Sequence, residues 1–169
     1  MMGRLDARGA TLIETLLYIV MATFILGAIS TFAIATTDAR GSMQVRMEID
    51  QQGTKVVDEI TRRVRDAESI STPSSGTSNS TLVIITDNPT TNPTTIALDN
   101  GAVQLAEGSG SPQNLTNSSI VVDSLVFRNT STSDVDSISV EIQISYASSS
   151  LSRIYQYEQE FYGSATLRK

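Results

Sequence analysis

The sequence predicts an α+β fold, with one long N-terminal helix packed on a C-terminal antiparallel β-sheet head. Three observations predict it. An apolar run from Ala10 to Thr37 carries a single charge, Glu14. The stretch Asp38–Ile70 repeats apolar residues every three or four positions, with charges on the other face. Beyond Ser71, short apolar runs with strand-like alternation are separated by Gly, Pro, Asn and Ser.

The apolar run comes first. From Thr15 to Thr37 there are 23 uncharged residues. At about 1.5 Å per residue a helix of that length crosses a bilayer core of roughly 30 Å. Residues 1–9, MMGRLDARG, are short and polar and carry Arg4 and Arg8. Two arginines before the span and an acidic, polar chain after it predict a cytoplasmic N-terminus and an external head. Glu14 is the exception within the run. A carboxylate in lipid costs a few kcal/mol, less near the interface. Two readings stand: the carboxylate sits at headgroup level, where the helix N-terminus favours it, or it pairs with a cation on another chain.

Arg8-Gly9-Ala10-Thr11-Leu12-Ile13-Glu14 reads RGATLIE. It resembles the processing motif of the type IV pilin and pseudopilin family, in which a Gly precedes the cut and a Glu stands fifth in the mature chain. The resemblance implies cleavage between Gly9 and Ala10 by a prepilin peptidase and N-methylation of Ala10. It implies that Glu14 guides subunit registration, with Leu12, Ile13, Leu16 and Leu17 in the packing surface. Partners then follow: other pilin or pseudopilin subunits, a cytoplasmic-membrane assembly platform, and lipid before assembly. The chain departs from the family at Ala10, where Phe is commonest, and in having no proline late in the apolar run, where Gly27 is the one soft point. The resemblance is specific from Arg8 to about Thr37 and architectural beyond. The physics agrees: cleavage creates an ammonium at Ala10, and in a staggered bundle it can neutralise Glu14 of a neighbour. Removing one partner of such a pair strands the other. Gly9 leaves the scissile backbone bare.

Two other readings stay open. Ala33-Ile34-Ala35 matches a secretory cleavage pattern, although the preceding apolar stretch exceeds the usual ~7–15 residues. Without any cleavage, the chain would be a signal-anchored surface protein whose head binds a partner as an adhesin.

Residues 38–70 continue the helix as an amphipathic half. Met43, Met47, Val56 or Val57, Ile60, Val64 and Ala67 form the expected core stripe. Arg62, Arg63 and Arg65 stand among acidic neighbours and read as a solvated, salt-bridged face rather than a nucleic-acid site. Gly41 and Gly53 weaken the helix by about 1 kcal/mol each. Residues 71–169 form the head. Ser71–Ser80 reads as a turn-rich connection. Thr81–Thr86, Thr95–Leu98, Ala102–Ala106, Ile120–Arg128, Ser137–Tyr146 and Arg153–Phe161 read as strands, with a last short piece over Gly163–Arg168. Asp99-Asn100-Gly101 signals a hairpin. Asp87–Pro93 and Glu107–Ser119 are the expected exposed loops.

Composition narrows the function. A net charge of -6 argues against a nucleic-acid surface. Cysteine is absent, which excludes a disulfide framework and a thiolate metal site. Histidine is absent too, which removes the commonest general base and metal ligand. Asp134 and Asp136 read as solvated turn residues rather than calcium ligands. The expectation is a structural subunit that is not an enzyme and takes no cofactor.

Overall fold

The computed structural model describes residues 11–147 and 157–168. One helix, α1 (Leu12–Arg65), is followed by nine strands: β1 (Ser69–Thr72), β2 (Ser78–Asn79), β3 (Thr81–Ile85), β4 (Thr94–Asp99), β5 (Ala102–Glu107), β6 (Gln113–Asn114), β7 (Ile120–Asn129), β8 (Ser137–Tyr146) and β9 (Glu158–Thr166). The chain divides into two compact units, one up to Arg40 and one from Gly41.

In the first unit every described residue up to Ala35 is exposed. Leu, Met and Ala favour a helix here, and the many Ile, Val and Thr residues are tolerated. The surface is apolar on all sides.

In the second unit, the last 25 residues of α1 (41–65) pack on antiparallel β structure. The strands form two sheets rather than one. The first has the order β1-β3-β4-β5-β6 and the second β2-β7-β8-β9, antiparallel throughout. One core joins the helix to both. Ile49, Val56, Ile60 and Val64 meet Leu82, Ile84, Ile96 and Val103 of the first sheet and Phe127, Val140, Ile142 and Ile144 of the second. β8 alternates as its sequence predicts, with Ile138, Val140, Ile142 and Ile144 inside. β7 changes phase: Ile120 and Val122 point inward, then Leu125 and Phe127. A bulge between Val122 and Ser124 absorbs the extra residue. The expected hairpin is present. Asn100 and Gly101 both take positive φ, 49° and 73°, and join β4 to β5, as a two-residue primed turn requires.

The core stripe of α1 is a correction. The buried positions are Val45, Ile49, Gly53, Val56, Ile60, Thr61 and Val64, whereas Met43 and Met47 are 64% and 70% exposed. At about 100° per residue, Met47 lies about 180° around the helix from Val56, and Ile49 about 20° from it. Gly53 hid the true phase, because a glycine does not register as apolar. It is also more than a weak point in the helix. A Cβ at residue 53 would run into the Phe161 ring of β9. The ring lies on bare helix backbone. At Gly163, likewise, a Cβ would meet Val57 Cγ1 at 2.5 Å. Two glycines, one on each element, let α1 approach β9 closely.

Boundaries differ elsewhere. The helix stops at Arg65 instead of Ile70, because Ser69 and Ile70 pair with Ile85 and Ile84 in the first sheet. The connection Ser71–Ser80 and the loop Glu107–Ser119 contain β2 and β6, two residues each. Of the expected strand Arg153–Phe161, residues 158–161 form the start of β9, which runs on to Thr166 and takes in most of the separate piece expected at Gly163–Arg168. Residues 153–156, Ile154 and Tyr155 among them, lie outside the described residues.

Candidate membrane and assembly helix

The candidate site is the first part of α1. The backbone N–H groups of Glu14 and Thr15 donate to Thr11 O at 3.0 and 3.1 Å, so the helix starts immediately after Thr11. Glu14 therefore stands in the first turn, where the aligned peptide dipoles favour an anion. Its Oε1 accepts a hydrogen bond from Tyr18 Oη at 3.1 Å. The sequence reading missed Tyr18, although its i+4 spacing from Glu14 is the signal that places both side chains on one face. Gly9 and Ala10, the expected cleavage and methylation residues, lie outside the described residues.

Leu12, Ile13, Leu16 and Leu17 are 91%, 77%, 62% and 57% exposed. At ~100° per residue they span an arc of about 140°, with Glu14 and Tyr18 outside it. The span thus presents an apolar arc beside one hydrogen-bonded carboxylate.

The hydroxyl groups extend this pattern. Between Thr15 and Thr37, every hydroxyl-bearing side chain donates within the helix. Thr15 donates to Leu12 O, Thr23 to Val20 O, Ser30 to Leu26 O, Thr31 to Gly27 O, Thr36 to Phe32 O and Thr37 to Ala33 O, at 2.8–3.0 Å. Tyr18 completes the set through Glu14. Such bonds back to the preceding turn satisfy polar groups without water. That is the condition a segment must meet in hydrocarbon, where an unpaired polar group costs several kcal/mol. The helix is long and apolar enough to cross a membrane, and its apolar stretch has no buried residue.

Charge in the second unit is arranged differently. Arg62 and Arg63 both bind Glu59, at 2.7 and 2.8 Å, and Arg63 also bridges to Glu107 of β5. Two of the three clustered arginines are thus engaged by carboxylates. The hydrogen bond from Arg62, with that from Arg63, holds the Glu59 carboxyl below its ordinary range against the opposing effect of burial. Among the described residues, no group of three or more acidic side chains is placed to hold a metal ion. No protein-family model matches the chain, and comparisons with curated proteins and with solved structures found no match.

Proposed function

We propose that the chain is a structural subunit of a type IV pilin-like filament, a pilin or pseudopilin, processed by a prepilin peptidase and assembled through α1. One observation carries the reading: a span from Leu12 that is apolar on all sides, saturates its own hydroxyls and keeps one carboxylate, Glu14, in its first turn. In a simple anchor that carboxylate would sit at headgroup level, where the helix N-terminus favours it. In a bundle of copies it gains a role, because the ammonium created at Ala10 of one chain can sit against Glu14 of the next and compensate both desolvated charges. The exposed Met43 and Met47 add apolar surface on α1 for neighbouring helices beyond the span. The RGATLIE motif supports the same reading through its resemblance to prepilins. In this proposal the subunit waits in the cytoplasmic membrane with its N-terminus inside, and the β head ends on the outside of the filament. It performs no catalysis.

The mature N-terminus tests the proposal. Intact-mass and N-terminal peptide mass spectrometry would be applied to chain made in cells with a prepilin peptidase. A chain beginning at N-methylated Ala10 is the expected result. A chain beginning at Met1 would point to an anchored surface protein, and one beginning at Thr36 to a secreted β-domain. Either would remove the filament reading.

A further inference from the structure

The second sheet ends in β9, which among the described residues has a strand on one side only. β9 is nine residues long and pairs with β8 in unbroken register from Ser145↔Glu158 to Ser137↔Thr166. It lies at the end of its sheet, and among the described residues no backbone group pairs with its other side. Open edges are usually blunted by shortness, proline, bulges, charged side chains or a covering segment. β9 is long, unbulged and free of proline and lysine, and its charged side chains are Glu158 and Glu160. Among the described residues its outward N–H and C=O groups have no backbone partner and can take another strand.

The side chains beside that edge set a charge preference. Glu158, Glu160 and Tyr162 all project from the outer face of β9, away from the core. Glu141 of β8 stands directly across from Tyr162. Tyr162 is 66% exposed, and its hydroxyl donates to Glu160 Oε2 at 2.5 Å. That bond, some burial, and the charges of Glu160 and Glu141 push the phenol up to about 12. Arg128, a cation on this face, lies on β7 in the row of Ser139 and Ser164, two strands away from the open edge. An added strand places its outward side chains about 5 Å from Glu158, Glu160 and Tyr162, close enough for direct pairing. A second copy of β9 would bring the same glutamates onto this edge, which like-charge contact disfavours.

We infer that the open edge of β9 is a strand-addition site for an extended basic segment of another protein, with Lys or Arg at alternate positions facing Glu158 and Glu160. The backbone of the partner would supply affinity, and the alternating cations would supply selectivity. The inference is independent of filament assembly.

Amide hydrogen exchange tests it. The full-length chain in non-ionic detergent micelles would be followed by NMR with an acetylated, amidated peptide of alternating Lys and Val. The same peptide with Glu for Lys serves as the control. At a Lys-peptide concentration about ten times its dissociation constant, exchange of the outward β9 amides should slow about tenfold. The Glu peptide should give no slowing. In the Glu158→Lys/Glu160→Lys variant the preference should invert, with β7–β8 amides unchanged as a check on folding. Equal protection by both peptides, or none by either, would overturn the inference. So would protection that depends on the concentration of the chain itself without peptide, since the occupant would then be a second copy.

Discussion

Gly53→Ala separates helix propensity from packing. In an open helix this change stabilises by about 1 kcal/mol, because alanine loses less backbone entropy than glycine. Here the new Cβ falls on three atoms of the Phe161 ring, Cε2, Cζ and Cδ2. Overpacking of this kind costs about 1–3 kcal/mol. The ring is overlapped by several atoms and backed by the second sheet, so the upper part of that range applies. The difference gives a net loss of about 1–2 kcal/mol relative to the native chain. The discriminating measurement is a double-mutant cycle with Phe161→Ala. Removing the ring leaves space for the methyl group, so Gly53→Ala should stabilise that background by about 1 kcal/mol. The coupling between the two sites is then about 2–3 kcal/mol. Urea unfolding of the full chain in micelles, followed by tyrosine near-UV circular dichroism, reports the four stabilities. If Gly53→Ala stabilises the native background as much as the Phe161→Ala background, the ring does not rest on Gly53, and the account of how α1 meets β9 fails.

Three further outcomes follow from particular contacts. Glu14→Ala should leave membrane insertion intact and reduce incorporation into filaments, read by fractionation and by sheared-filament yield; undiminished incorporation would refute the registration role. Gly101→Ala should destabilise the head by about 1–2 kcal/mol, because φ of 73° disfavours an L side chain and the added Cβ would meet Val121 Cγ1 at 3.0 Å. Thermal melting of the head measures it. Glu59→Gln should lower stability at neutral pH by less than about 1 kcal/mol, as expected for a partly exposed helical pair. The Glu59 carboxyl is held below its ordinary value of 4.5, chiefly by Arg62. Its contribution is therefore fully present above that value and disappears as pH falls through the lowered one. The stability gap between the native chain and the variant should close in that acid range, and a gap that persists at pH 2 would refute the assignment.

Some elements were legible because their cause is local. The apolar half of α1 follows from composition alone, and its hydroxyls find partners within one turn. The Asn100-Gly101 hairpin follows from two residues that accept positive φ. β8 follows from strict alternation over ten residues. Glu14 was legible as the only charge in a long apolar run. Its hydrogen bond with Tyr18 is equally local, and i+4 spacing was enough to suggest it.

The remaining features were illegible because their cause is distant in the chain. Met43 and Met47 fit a helical repeat as well as Val45 and Ile49 do, and local periodicity cannot say which phase faces the sheets. Gly53 belongs to the buried stripe for the sake of Phe161, 108 residues further on. Ser69 and Ile70 follow the helical periodicity by only a few residues, yet lie in β1 and pair with Ile85 and Ile84. The division of the strands into two sheets depends on which edges meet across long connections. The sequence by itself determined the membrane-competent helix, the position of its single carboxylate and the α+β order of elements, since each rests on residues within a few turns or a single strand. Only the tertiary structure decided the phase of the core stripe, the glycine contacts that bring α1 against β9, and the open edge of β9, since close packing and strand pairing are settled between residues far apart in the chain.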